Sequence, residues 1–323
     1  MTRGDVLETE PHPAPGWVNL SRRGIRLLPR GRYPLMNWLC RREVAPFDTS
    51  LGVTRNRVRF VCDLRDGIAR EACFMGFYEP QETVVLQSLL RPGMTFVDVG
   101  ANWGYFTLLA ADLVGPAGRV VSFEPHPALY QRLAQNVERN HFDWVTSLQV
   151  AVAGAEGEMN LAGYATGTTN WGVSRLTVDA EPGTSNFRVR TATLESLLDA
   201  HGAAEVDMLK MDIEGAEGSV LPTMREGLSR GRYQRILLEL HPVALREQGI
   251  AAESLVGELL AFGYRGWRVD HSAAAFRRAS YKLPSSPGEV LRPLDLHAPI
   301  EAWPHFLFLA PGVGAPWREA SAL

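Results

Sequence analysis

The stretch TFVDVGANWGYFTLLA at residues 95–110 decides the fold of this chain. Its first five residues are apolar or β-branched apart from Asp98, a composition that predicts a strand buried inside a parallel sheet. The residues from Tyr105 onward have the apolar spacing of a helix. Gly100 and Gly104 lie between the two elements. Glycine permits the positive φ angles that a strand-to-helix turn needs. It also lets a ligand or a neighbouring backbone approach closely.

A carboxylate at the tip of this strand restricts what the turn can bind. Asp98 would repel the oxygens of a pyrophosphate, whereas it would attract an amino group or a sulfonium. The two glycines are spaced GxxxG, and the GxGxxG pattern of dinucleotide-binding turns is absent. The turn therefore favours a cationic ligand over a dinucleotide, without excluding NAD.

Strands and helices alternate along the chain on both sides of this stretch. We predict further strands at residues 119–124, 147–153, 206–212, 234–240, 264–270 and 305–310, with helices between most of them. This alternation predicts an α/β fold with a doubly wound, mostly parallel sheet of seven strands. Residues 158–161 and 187–191 are expected to pair as a hairpin around a long loop, in which residues 164–171 are a candidate acceptor loop.

The ligand site of such a sheet lies beyond the carboxyl ends of its strands, where the strand order reverses. The predicted strand tips carry these candidate residues: Asp98 with Gly100 and Asn102, Glu124 with Pro125, Ala151 and Val152, Asp212, and Glu239 with His241. Glu124 follows Gly104 by 20 residues, which is the place of an acid that accepts hydrogen bonds from ribose hydroxyls. Trp103 and Tyr105 beside the turn are candidates for a cation–π contact with a ligand cation.

Composition describes an ordinary globular protein with an uneven charge. The chain has 323 residues, of which 46% are hydrophobic, and its net charge is −3. Residues 1–70 contain 13 Arg and 7 acidic residues, so this part is basic and the remainder is acidic. We therefore predict an N-terminal appendage at residues 1–75, acting as a lid, an acceptor-binding segment or a dimer contact, then a catalytic domain at 76–311 and a tail at 312–323.

The three cysteines have neither CxxC nor zinc-type spacing, which fits reduced thiols in the cytoplasm. There is no secretory signal pattern, and no apolar run reaches the length of a membrane span. The sequence thus predicts a cytoplasmic protein without a membrane partner, and it leaves a homodimer open. It also predicts no nucleic-acid partner, because the overall charge is not basic and no NPPY-type segment follows the fourth strand.

Three motifs, VDVGANWGYFT at 97–107, FEPHP at 123–127 and KMDIEGAE at 210–217, resemble the FkbM-type branch of S-adenosylmethionine-dependent methyltransferases in order and spacing. The resemblance covers residues 76–311. It implies the Rossmann-like fold of class I methyltransferases, with a last strand that runs antiparallel beside the fifth, and S-adenosylmethionine as cofactor. Tyr78-Glu79-Pro80 also resembles the pattern of this family, which implies that Glu79 reaches the amino acid end of the cofactor.

Methyl transfer to a hydroxyl group requires alignment of acceptor and donor, exclusion of water, and a group that takes the acceptor proton. Asp212, Glu239 and His241 lie at the tips of two neighbouring strands, and Glu239 and His241 share one face because they differ by two positions. We expect His241 to be the general base, with Asp212 and Glu239 orienting it or the acceptor. The less favoured alternative is a Mg²⁺ ion held by Asp212 and Glu239.

The leading functional hypothesis is an O-methyltransferase that acts on a small hydroxylated molecule. The resemblance implies this acceptor class, which includes sugars and secondary metabolites such as polyketides and glycosides. An NAD-dependent oxidoreductase is the second hypothesis, and a non-catalytic scaffold that binds the cofactor is the third.

Overall fold

The computed structural model describes residues 11–163, 174–177, 179, 184–295 and 304–319. The helices are α1 (Gly16–Leu27), α2 (Arg32–Leu39), α3 (Gly67–Met75), α4 (Pro80–Leu89), α5 (Tyr105–Val114), α6 (Pro127–Arg139), α7 (Leu194–Ala200), α8 (Glu217–Val220), α9 (Arg225–Ser229), α10 (Pro242–Glu247), α11 (Ala252–Ala261), α12 (Ala273–Tyr281) and α13 (Pro316–Glu319). The strands are β1 (His12–Pro13), β2 (Phe47–Ser50), β3 (Arg59–Cys62), β4 (Thr95–Val99), β5 (Arg119–Phe123), β6 (Val145–Leu148), β7 (Ala151–Val152), β8 (Gly157–Gly163), β9 (Ser174–Thr177), β10 (Ser185–Ala192), β11 (Met208–Met211), β12 (Arg235–Glu239), β13 (Arg265–Val269), β14 (Leu291–Pro293) and β15 (His305–Leu309).

The main sheet has the strand order β14-β13-β15-β12-β11-β4-β5-β6. Strands β12, β11, β4, β5 and β6 are parallel to one another, and β15 lies antiparallel between β12 and β13. The doubly wound, mostly parallel sheet with an antiparallel last strand is therefore confirmed. The strand β14 extends it at one edge, so the sheet has eight strands where seven were predicted.

The order of the strands reverses at β4, because β5 and β6 follow on one side and β11 and β12 on the other. The side chains of β4 are buried from Phe96 to Val99, as expected for a strand covered on both faces by helices. The turn after β4 consequently lies at the topological switch point of the sheet, where ligands of such folds bind.

The predicted third strand at 147–153 is wrong as one element. The chain leaves the main sheet after β6 and enters β7, which pairs with β10 in a second sheet of order β7-β10-β8-β9. The predicted hairpin is confirmed, because Glu158 pairs with Arg190 and Leu161 pairs with Phe187. The candidate acceptor loop at 164–171 lies outside the described residues.

The N-terminal part packs against the sheet domain through polar and apolar contacts. Residues of β2, β3 and α3 share one hydrophobic core with α5. Asn136 in α6 accepts a hydrogen bond from the backbone N–H of Val61 at 2.8 Å, and Asp112 in α5 accepts one from that of Arg55 at 2.7 Å. In the C-terminal segment, Trp317 contacts Trp267 with ring centroids 5.4 Å apart.

Within the part of the chain that the structure describes, no helix combines the length and apolar character that crossing a bilayer requires.

Candidate active site

A cavity of about 240 Å³ lies at the carboxyl ends of β4, β5 and β11. Gly100, Glu124 and Asp212 line it at the three strand tips. The second sheet closes one side with Leu161 and Leu176, and the N-terminal part contributes residues 66–68. The cavity therefore lies at the switch point, where the sequence analysis expected the ligand.

The glycine turn brings the tips of β4 and β11 into contact. Gly100 has φ +85°, and a Cβ atom at this position would lie 1.9 Å from the carbonyl oxygen of Asp212. Its N–H donates to the carbonyl of Phe123 at the tip of β5, at 3.0 Å. Asn102 also has a positive φ of 52°, and its side chain accepts a hydrogen bond from Trp103 N at 2.7 Å. Gly100 is thus required by steric contact with a neighbouring backbone as well as by its own conformation.

Glu124 connects this turn to the start of α6. Its Oε2 atom accepts a hydrogen bond from Asn102 N at 2.7 Å, and its Oε1 atom accepts one from His126 N at 2.9 Å. Burial raises the pKa of Glu124 to about 7, although these two N–H groups favour the ionised form. Each carboxylate oxygen keeps a second lone pair, so Glu124 fits the predicted contact with ribose hydroxyls.

The pKa of Glu124 makes stability depend on pH. The folded value of about 7 lies above the unfolded value near 4.5, so the stabilisation is complete below pH 4.5 and is lost as the pH rises through 7. Relative to a Glu124→Gln variant, the free energy of unfolding of the wild type should fall by about 3 kcal/mol over this range. Urea unfolding of both proteins at pH 5 and pH 8 measures this change, and an equal difference at the two pH values would contradict the assignment.

The cavity has a strongly acidic wall. Five carboxylates line it, those of Asp66, Glu79, Glu124, Asp212 and Glu214, against a single ammonium group, that of Lys210, among the described lining residues. Lys210 Nζ lies 3.4 Å from Asp212 Oδ2 and 4.8 Å from the centroid of the Phe106 ring. Burial lowers the pKa of Lys210, but the carboxylates of Asp212, Glu79, Asp98 and Glu239 outweigh it and raise this pKa above its usual value. A cationic ligand would stabilise the ionised forms of the remaining acids.

Glu79 lines the acidic wall, and one of its buried carboxyl oxygens lacks a hydrogen-bond partner among the described residues. Its backbone is left-handed, with φ 39°, and among the described residues its Oε2 atom has no hydrogen-bond partner. Burial raises the pKa of Glu79 to about 8, and Lys210 opposes this shift. A donor supplied by a ligand, such as an ammonium group, would satisfy this oxygen.

Aromatic rings form the wall beside Glu79. The Tyr105 ring contacts Tyr78 and Phe106 edge to face, at 5.8 and 5.1 Å between centroids, and its hydroxyl lies 3.0 Å from Thr83 Oγ1. Trp103, the other predicted cation–π residue, has the Arg132 guanidinium 5.3 Å from its ring centroid. Tyr105 is therefore the better candidate for contact with a ligand cation.

Four carboxylates surround His241 next to the cavity. Its Nδ1 atom hydrogen-bonds with Glu217 Oε1 at 2.9 Å. Its Nε2 atom lies 3.2 Å from Glu214 Oε2, 3.7 Å from Glu239 Oε1 and 3.9 Å from Asp212 Oδ1. Burial lowers the pKa of His241, but the hydrogen bond to Glu217 and the neighbouring negative charges outweigh it and raise this pKa to about 9.

The expected role of His241 as general base does not fit this environment. A ring with a pKa of about 9 holds its proton at neutral pH, and His241 is 6% exposed and does not line the cavity. Glu214 does line it, with a left-handed backbone of φ 52°. Burial raises the pKa of Glu214 to about 7, opposed by His241. A carboxylate with this pKa is suited to accept a proton near neutral pH.

Three other predicted site residues do not line the cavity. Asp98 accepts a hydrogen bond from Thr107 Oγ1 at 2.6 Å, inside the contact between β4 and α5. Gly104 is the N-cap of α5, and a Cβ atom there would lie 2.5 Å from the Leu133 side chain, so this glycine serves helix packing. Glu239 Oε1 lies 3.3 Å from His305 Nε2 on the neighbouring strand β15. The remaining predicted cofactor residues, namely Glu79, Gly100, Asn102, Tyr105, Glu124, Pro125, Ala151, Val152 and Asp212, all line the cavity.

Three charged lining residues, Glu214, Lys210 and Asp66, were not among the predicted site residues. Lys210 is one of two lysines in the chain and lies within the apolar strand MLKM, so a charge in a buried strand was the available signal. Asp66 caps α3 by accepting a hydrogen bond from Ala69 N at 2.8 Å. Asp66 is far from any parallel strand in the sequence, so its position did not indicate that it lines the cavity.

The less favoured alternative of the sequence analysis was a Mg²⁺ ion held by Asp212 and Glu239. Donor atoms of Asp212, Glu214 and His241 lie within 4.8 Å of one another, whereas Glu239 is not part of this convergent set. A Mg²⁺ ion at this place stays a prediction.

A family model and several known proteins are similar to this chain. A family model described as a methyltransferase FkbM domain matches residues 98–266. The 31-O-demethyl-FK506 methyltransferase FkbM of Streptomyces tacrolimicus is 28% identical over an alignment of 179 residues, and the match covers 48% of this chain and 68% of that protein. The AMB antimetabolite synthetase AmbE of Pseudomonas aeruginosa is 26% identical over 185 residues, 47% of this chain, and the match spans 9% of the length of AmbE. A solved structure of methyltransferase FkbM from Methylobacillus flagellatus has a TM-score of 0.40 and 14% identity, covering 86% of this chain and 58% of that one.

Proposed function

The chain belongs to the FkbM family of S-adenosylmethionine-dependent methyltransferases, and from this premise we propose that it methylates a hydroxyl oxygen of a small molecule. The observation that carries the cofactor assignment is the acidic cavity, in which five carboxylates face one ammonium group. S-adenosylmethionine carries a sulfonium and an ammonium group, and either cation would stabilise the ionised forms of these acids and be attracted to them.

The same wall disfavours the dinucleotide alternative. A pyrophosphate carries two negative charges, and the Asp212 carboxylate at the tip of β11 would repel it. In our proposal Glu124 holds the ribose hydroxyls, Glu79 and Asp212 receive the amino acid end, and Tyr105 lies beside the sulfonium. Residues 66–68 of the N-terminal part line the same cavity, and in this proposal they cover part of the cofactor.

The acceptor hydroxyl approaches from the side of Glu214. The acceptor oxygen forms a bond to the methyl carbon while the carbon–sulfur bond breaks, and the bonding electron pair stays on sulfur as a thioether. The hydroxyl proton passes to the Glu214 carboxylate. His241, hydrogen-bonded to Glu217 and 3.2 Å from Glu214, is then a positioning residue, and its positive charge stabilises the ionised form of Glu214.

A small hydroxylated acceptor is supported by the name of one relative and by the net charge. The name of the Streptomyces tacrolimicus relative gives its methyl acceptor as 31-O-demethyl-FK506, a molecule that lacks a methyl group on one oxygen. We therefore propose a sugar or a secondary metabolite, such as a polyketide or a glycoside. The negative net charge of −3 does not favour nucleic acid as the acceptor.

Cofactor binding separates the proposal from its alternatives. S-adenosylhomocysteine should raise the melting temperature of the protein, while NADH should leave it unchanged. Incubation with labelled S-adenosylmethionine and panels of glycosides, polyketides and RNA, with and without EDTA, should give an O-methylated small molecule by mass spectrometry. Stabilisation by NADH alone would overturn the cofactor assignment, and methylated RNA would overturn the acceptor class.

A further inference from the structure

A second cluster of ionisable side chains lies outside the cavity, between α4 and the main sheet. Glu82 belongs to α4, His271 follows β13, and His305 is the first residue of β15. From this arrangement we infer that Glu82, His271 and His305 bind a divalent transition-metal ion with the ligand preferences of zinc.

The donor atoms converge on one point. Glu82 Oε1 lies 2.7 Å from His271 Nε2 and 3.0 Å from His305 Nδ1, and the three donor atoms all lie within 4.8 Å of one another. Zinc bonds to nitrogen and oxygen are about 2.0–2.2 Å long, which places neighbouring ligand atoms about 3 Å apart. The side chains therefore need only small shifts to enclose an ion.

Burial leaves an oxygen of this cluster without a partner. Glu82 is 0% exposed, and within the described part of the chain its Oε2 atom has no hydrogen-bond partner. A buried carboxylate oxygen left in this way is costly, and a bound cation is one means of satisfying it. The His271 side chain is 21% exposed, so an ion and its water ligands can reach the cluster from this side.

The surroundings of His305 match those of a metal ligand. Its second ring nitrogen, Nε2, lies 3.3 Å from Glu239 Oε1, and the two residues are register partners in the pair of strands β12 and β15. A carboxylate that accepts the far N–H of an imidazole fixes the tautomer in which Nδ1 is free to bind a metal. The rings of His271 and His305 stack with centroids 4.3 Å apart, so both are held in place.

The ligand chemistry selects the class of ion. Two imidazoles and one carboxylate suit zinc and its first-row neighbours, whereas magnesium and calcium prefer sites made of oxygen atoms. The same three residues without an ion would form a plain group of ion pairs with protonated imidazoles. Zinc binding distinguishes the two arrangements. A metal site takes up Zn²⁺ and releases the imidazole protons, whereas a group of ion pairs takes up no Zn²⁺.

The experiment is a titration of the full-length, chelator-treated protein with Zn²⁺, read by calorimetry, with the bound metal counted by elemental analysis. We expect one Zn²⁺ per chain, and binding weakened about a hundredfold or more in Glu82→Gln and in His271→Ala. Glu239→Gln, which removes the carboxylate beside His305 Nε2, should weaken it about tenfold. Because His271 is partly exposed, its variant should fold even if Glu82→Gln does not.

A matched control removes an exposed imidazole elsewhere. His141→Asn suits the positive φ of 53° at that position and should leave Zn²⁺ binding unchanged. Absence of binding to the wild type would overturn the inference, as would equal affinities of the wild type and the His271→Ala variant. Loss of Zn²⁺ binding in His241→Asn, with binding retained in His271→Ala, would assign the ion to the cluster of Asp212, Glu214 and His241. This result would also overturn the inference. The titration contains neither cofactor nor acceptor, so its outcome is independent of the proposed methyl transfer.

Discussion

Glu214→Gln is expected to lower kcat about a hundredfold or more, with little change in the affinity for S-adenosylhomocysteine. The amide keeps the shape of the side chain but cannot take the acceptor proton, and loss of a general base costs a rate factor of this size. In the wild type, kcat should fall as the pH drops below about 7, where Glu214 becomes protonated. Steady-state rates between pH 5.5 and 9, with calorimetry for the cofactor analogue, measure both effects.

The control for this variant is Glu253→Gln, an exposed glutamate in the first turn of α11 that should retain full activity. If His241 were the base instead, His241→Asn would abolish turnover while Glu214→Gln would keep most of it. As a positioning residue, His241 acts through Glu214, so His241→Asn should shift the acid limb of the pH profile to higher pH. An unchanged acid limb in His241→Asn would contradict this role.

Gly100→Ala is expected to abolish cofactor binding and to destabilise the protein more than any other single methyl addition in the turn. The added Cβ would lie 1.9 Å from the carbonyl oxygen of Asp212, which belongs to the backbone at the tip of the neighbouring strand. The positive φ costs about 1–2 kcal/mol for a residue with a Cβ. Displacement of the packed strand tip costs about 1–3 kcal/mol more. Urea unfolding and calorimetry with S-adenosylhomocysteine measure the two losses.

Gly93 provides a matched control for the conformational part of this loss. Its φ of +87° is almost the same as that of Gly100, but a Cβ atom there has no neighbour within 4 Å. Gly93→Ala should therefore cost about 1–2 kcal/mol of unfolding free energy and leave cofactor binding intact. Equal losses in the two variants would show that the contact with Asp212 is unimportant.

Residues that directly follow a parallel strand could be placed in the cavity from the sequence. Gly100, Glu124 and Asp212 lie there because a strand fixes the position of its own tip, and the alternation of elements fixes which tips meet at the switch point. The antiparallel last strand came from the family resemblance, and the register between Glu239 and His305 confirms its orientation.

Side-chain directions at the same tips could not be predicted in this way. Asp98 turns toward Thr107, and His241 is enclosed by carboxylates from three different elements, which reverses its expected protonation state at neutral pH. Lys210 faces the cavity from inside a strand whose composition predicts only burial. Each of these outcomes depends on neighbours that sequence spacing does not reveal.

The sequence alone determined the fold class, the glycine turn and the family, because these depend on local periodicity and on motifs of a few adjacent residues. Only the tertiary structure decided which ionisable groups face one another. Glu82 and His271 are 189 positions apart, yet their side chains are 2.7 Å apart. Electrostatic interactions depend on distance in space and on burial, and folding sets both for residues that are remote in the chain.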